Sequence, residues 1–129
     1  MSQAEVEVVR EIYDRFRAGD MAGALALHHA EIEVHDRPEV PDPQVYRGHD
    51  GVLASLGVSQ AAFEGLDLVP EEFIGVGNRV VVVFRFTGTG RESGVPIDEQ
   101  LAHVWTIRDG KALRMEVHSS RDGALRAAS

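Results

Sequence analysis

The chain has 129 residues, 43% of them hydrophobic and 26% charged, with a formal charge of −8 and no cysteine. That length is one domain with room for a core. The acidic balance argues against sequence-independent binding of nucleic acid or of an anionic membrane surface, both of which need clustered cations.

The opening MSQAEVEVVREIY is acidic and amphipathic and lacks the basic start and apolar core of a signal peptide. No apolar run approaches membrane-spanning length, so the expected location is cytoplasmic. Val6, Val9, Ile12, Tyr13 and Phe16 recur at helical spacing, which predicts an amphipathic helix. Gly19 ends it, and Asp20 caps a second helix whose apolar stripe carries Met21, Ala24, Leu25 and His28. Ile32 and Val34 alternate with Glu33 and His35 in a short strand, after which Pro38, Pro41 and Pro43 impose an extended loop. Asp50 to Phe63 reads as a third helix, interrupted near Gly57. Leu66–Val76 and Arg79–Thr89 read as strands joined by a Gly77-Asn78 turn; VVVVFRFTG has the β-branched and aromatic content of a central strand. Gly88, Gly90, Gly94 and Pro96 mark a flexible crossing to the next strand.

The stretch QLAHVWTIRDGKALRMEVHSS carries the most information. Two alternating strands flank Asp109-Gly110, a strong hairpin signal. Leu101, His103, Trp105 and Ile107 share one face of the first. On the second, Arg114, Glu116 and His118 oppose Leu113, Met115 and Val117. Ionisable groups interleaved with the lone Trp suit a pocket floor. Ser119-Ser120-Arg121-Asp122 caps a terminal half-helix. Helices ahead of four successive antiparallel strands mean an α+β fold with helices packed on one face of a curved sheet.

This order, with EIYDRFRAGDMAGALAL, EIEVHDRPE, YRGHDGV and AHVWTIRDGKALRMEVH, resembles the SnoaL-like branch of the nuclear transport factor 2-like superfamily over nearly the whole chain. The resemblance implies a cone-shaped α+β barrel, residues 1–129 as a single domain, an apolar cavity for a hydrophobic small molecule, and homodimers paired through the outer surface of the sheet. It also places Asp36 where ketosteroid isomerases keep a proton-shuttling carboxylate. Their Tyr from the first helix falls on Ile12, with Tyr13 rotated by about 100°. Their late-strand Asp falls on His103. The Asp-Arg-Asp relay of epoxide hydrolases would draw on Arg85 and Asp36, but no second carboxylate at matching spacing is evident.

The candidate catalytic pair is therefore Asp36 as base and His103 as donor or second base, the latter suited to neutral pH. Each has a plainer alternative: Asp36 as a turn residue bonded to local backbone, His103 as a core imidazole held by a carbonyl. Tyr13, Tyr46, Arg85, Trp105, Glu116 and His118 are candidate pocket-lining residues, with Glu116 and His118 either inside or solvated on the outer face. His28 reads as a rim or core residue. No HExxH or His-x-x-x-His pair occurs, and no metal or other cofactor is expected. There is no P-loop, GxGxxG turn or GxSxG elbow. Two functional readings stay open: a cofactor-independent isomerase, cyclase or dehydratase acting on a hydrophobic carbonyl compound, and a non-catalytic binding or dimerisation module.

Overall fold

The computed structural model describes residues 2–129. Helix α1 (Ser2–Arg17) and helix α2 (Met21–Ala26) precede β1 (His28–His35), β2 (Val45–Arg47) and helix α3 (Gly48–Ala62). Strands β3 (Phe63–Val76), β4 (Arg79–Gly90), β5 (Pro96–Arg108) and β6 (Lys111–His118) follow, and helix α4 (Arg121–Ala128) ends the chain. The strands form one open six-stranded sheet in the order β2-β1-β6-β5-β4-β3. All pairs are antiparallel except β1 with β6.

Local chemistry sets most of these boundaries. Asp20 caps α2 by accepting the Gly23 N–H. Asp109 and Gly110 both take positive φ, 52° and 74°, the backbone a two-residue hairpin turn needs. The glycine-marked crossing is a tight turn, with Gly90 N donating to Val95 O and Gly94 N to Gly90 O.

Three expectations are corrected. Helix α2 stops at Ala26, so His28 opens β1 instead of ending a helical stripe. Helix α3 runs unbroken through Gly57, whose missing side chain would meet open space; an exposed helix-interior glycine costs only about 1 kcal/mol and does not by itself end a helix. The helices also do not all share one face. Val81, Val83, Ala102 and Val104 point away from α1 and pack against Ala124 and Ala128 of α4. The unalternating Val80–Phe84 run is thus buried on both sides, as apolar runs in fully covered strands are.

The inner face holds the main core. Val9, Ile12 and Tyr13 of α1 pack on Ile32 and Val34 of β1, Val80 and Val82 of β4, and Trp105 and Ile107 of β5. Ile12 has no exposed surface. Truncation to Ala is expected to cost about 2–5 kcal/mol, the range for a buried Ile with partial collapse of its cavity. Urea denaturation of Ile12→Ala measures this, and a loss below 1 kcal/mol would mean that α1 is not seated as described.

Candidate functional site

Between α1, α3 and the inner face of the sheet lies a chamber of about 470 Å³, within the size range of small-molecule sites. Phe16, Leu56, Leu66, Leu68, Phe86 and Met115 supply apolar wall, and α3 adds Ser55, Ser59 and Gln60. The exposed Arg17, Met21, Gln60 and Asp67 mark its open side. Arg17 and Asp67 approach to 3.9 Å there. A second cleft, of about 530 Å³, lies between α1 and β3 behind Tyr13 and holds no imidazole. Arg10, Asp14 and Arg17 make half of its lining charged, and only Tyr13, Pro70 and Phe73 give it apolar surface, whereas small-molecule sites are lined predominantly by apolar side chains.

Tyr13, His103 and Trp105 meet in the chamber wall. Strand alternation puts His103 and Trp105 on one face of β5, and α1 lays Tyr13 across them. Trp105 Nε1 donates to the Tyr13 hydroxyl at 2.9 Å, and that oxygen lies 2.6 Å from His103 Nδ1. An indole N–H can only donate. If Tyr13 accepts from Trp105 and donates to Nδ1, the indole N–H, the phenol O–H and Nδ1 are all paired. If Nδ1 carried the proton, the Tyr13 O–H would have no acceptor among the described residues. Hydrogen-bond satisfaction thus assigns the neutral tautomer with the proton on Nε2.

Burial enforces that neutrality. His103 is 8% exposed and Phe84 packs on it with ring centroids 4.2 Å apart. Its pKa is pushed down to about 3, chiefly by burial and secondarily by the charge of nearby His118. Burial also pushes the Tyr13 phenol well above its ordinary value, against a smaller opposing effect of the Trp105 hydrogen bond. At neutral pH the trio is uncharged, and His103 offers an N–H donor.

His28 is the second imidazole in the wall, 2% exposed. Its Nδ1 lies 2.8 Å from the Ala24 carbonyl oxygen, closing the end of α2. Its ring sits edge-on to Phe16 and Trp105, at centroid distances of 5.9 and 5.8 Å. Burial lowers its pKa as well, the Ala24 bond opposing and the charge of His49 adding.

The other candidates lie elsewhere. Asp36 follows β1, outside the chamber lining, and exchanges bonds with Gln44: its carboxylate accepts the Gln44 N–H and its own N–H donates to Gln44 O. This is the turn role, and it corrects the expectation of a pocket base. Tyr46 packs against the core without reaching the chamber. Arg85 alternates with the inward Phe84 and Phe86, so it points outward to Asp98 and Glu71. Glu116 and His118 pair across from Val104 and Ala102 on the outer face, where Glu116 bonds both Arg114 and His118. Ile12 is core. Among the described residues no cluster of His, Cys, Asp or Glu is arranged to hold a metal ion.

The SnoaL-like domain model matches residues 9–115. An uncharacterised protein of Mycobacterium tuberculosis is 26% identical over 114 residues, which is 87% of this chain and 86% of that one. Among solved structures, TerC, co-crystallised with polyporic acid, is 30% identical with a TM-score of 0.78, covering 97% of this chain and 98% of its own. A nuclear transport factor 2-like protein of unknown function from Burkholderia pseudomallei is 26% identical with a TM-score of 0.77, covering 98% of each chain.

The depressed His103 pKa fixes the sign of a pH dependence. The folded value of about 3 lies below the ordinary 6.5, so unfolding takes up a proton in the window between them. The stabilisation is complete above pH 6.5 and is lost at up to about 1.4 kcal/mol per unit as pH falls toward 3. Denaturant titrations at pH 7 and 5.5 are expected to show roughly 1 kcal/mol of acid loss from this group, and a shallower loss in His103→Asn. Equal slopes in the two proteins would contradict a buried neutral imidazole.

Proposed function

The chain belongs to the SnoaL-like family, and on that premise we propose that its chamber binds a hydrophobic small molecule through a carbonyl oxygen held by His103. The reaction class is cofactor-independent acid–base chemistry of the isomerase, cyclase or dehydratase kind. One observation carries this reading: a Tyr13 hydroxyl locks His103 as a neutral N–H donor in an apolar wall. A neutral imidazole polarises a carbonyl without bringing a buried charge, and its hydrogen bond strengthens as negative charge develops on the oxygen. Aromatic and aliphatic walls exclude water and strengthen that interaction. The co-crystal of TerC with polyporic acid supports an organic molecule as occupant in a relative of this fold.

A second reading, a binding module, is favoured by the position of Asp36. With its carboxylate on Gln44 N–H, no carboxylate lies deep in the chamber; Asp67 stands at the open side. The two readings separate on one compound. Deoxybenzoin carries a carbonyl and an adjacent acidic CH₂. Quenching of Trp105, the sole tryptophan, is expected to report its binding, weakened about fivefold in His103→Asn, the worth of one neutral hydrogen bond. In D₂O, the enzyme reading expects deuterium to enter the CH₂ faster than in buffer, and more slowly in the variant. Binding without exchange favours the module. No binding removes both.

A further inference from the structure

His28 is left over by the reading above, yet it shares the chamber with His103. Its environment fixes the opposite tautomer. A carbonyl oxygen only accepts, so the 2.8 Å contact of Nδ1 with Ala24 O requires the proton on Nδ1. The neutral ring then carries a lone pair on Nε2. Among the described residues Nε2 has no hydrogen-bond partner, and it is not sealed from water. His103 has the reverse arrangement, with Nδ1 accepting from Tyr13 and Nε2 carrying its proton without a partner. Both rings stand against Trp105, at centroid distances of 5.8 and 6.0 Å. Both rings line the chamber, whose wall therefore carries one acceptor and one donor beside the same indole.

We infer that His28 Nε2 is a specificity-determining acceptor, so that the chamber selects an uncharged molecule bearing a hydroxyl for His28 as well as a carbonyl for His103. This rests on the carbonyl reading of His103 and deepens it. An anion is disfavoured, because neither imidazole is charged and Arg17, the cation in the lining, faces Asp67 at the open side. An unpaired hydroxyl is also disfavoured inside, whereas one that reaches His28 is compensated.

Three aromatic probes of similar shape test the assignment: para-hydroxybenzophenone with both groups, benzophenone with the carbonyl alone, and para-benzylphenol with the hydroxyl alone. His28→Asn keeps an amide N–H near the Nδ1 position, for Ala24 O, and deletes the Nε2 acceptor. His103→Asn likewise keeps an acceptor for Tyr13 and deletes the Nε2 donor. At pH 6.5 wild type is expected to prefer para-hydroxybenzophenone over benzophenone by about fivefold, one hydrogen bond's worth. That preference should vanish in His28→Asn and persist in His103→Asn. The preference for the ketone over para-benzylphenol should vanish in His103→Asn. If the ketone preference depends on His103 but the hydroxyl preference is absent or survives in His28→Asn, the His28 assignment is overturned and the carbonyl reading stands. If no probe binds, both fall. Wild type alone gives a check independent of the variants' folding: the His28 Nε2 ¹⁵N resonance should shift with para-hydroxybenzophenone and stay put with benzophenone. The same response to both overturns the assignment.

Discussion

The chain of hydrogen bonds from Trp105 through Tyr13 to His103 is the constraint on which the interior depends. An indole that can only donate forces the phenol to accept. The phenol then has one proton to give, and His103 Nδ1 is the acceptor within reach. Each link crosses from α1 to β5, so the chain ties the first helix to the sheet with polar bonds inside an otherwise apolar core. A buried polar network of this kind is safe only when every member is satisfied. Here satisfaction also decides the chemistry, because it leaves His103, a residue of the chamber wall, neutral with its remaining proton on Nε2.

The rest of the fold is arranged around keeping that trio dry yet leaving a void beside it. Phe84 packs on His103 and Phe73 stands edge-on to Tyr13. Phe16 and Phe86 form wall, and α3 supplies the remaining side without filling the space. These phenylalanines are bulky enough to have closed a small cavity, but contacts with Tyr13 and His103 occupy two of them. Outside, α4 covers the apolar backs of β4 and β5. That cover lets the central strands stay hydrophobic on both faces, so the inner wall can be built from long unbroken β-strands.

What was legible in the sequence was mainly local. The Asp109-Gly110 hairpin, the Asp20 cap and the amphipathic first helix follow from turn chemistry and periodicity, and with them the shared face of His103 and Trp105. The resemblance carried by the motif order implies the curved sheet with helices against it, which is the fold observed. Long-range pairing was not legible: nothing near Ile32 or Val34 says that β1 runs parallel to β6. The sequence position of Asp36 says nothing of its partner, because its hydrogen bonds to Gln44 depend on how the proline loop returns. Alternation with the inward Phe84 and Phe86 is itself a sequence signal that puts Arg85 on the outer face, beside Asp98. The all-valine run likewise hinted at cover on both faces. His28 reads as a rim or core residue from its place on the stripe, but its bond to Ala24 O is not legible, because it arises where α2 stops two residues before the stripe ends.

Hydrogen bonding leaves the two chamber imidazoles neutral with their protons on opposite nitrogens. Long-range ¹H–¹⁵N correlation of the unliganded protein at pH 7 reads this directly. A protonated Nε2 and bare Nδ1 are expected for His103, and the reverse for His28. An imidazolium pattern, or a His103 proton on Nδ1, would contradict this assignment.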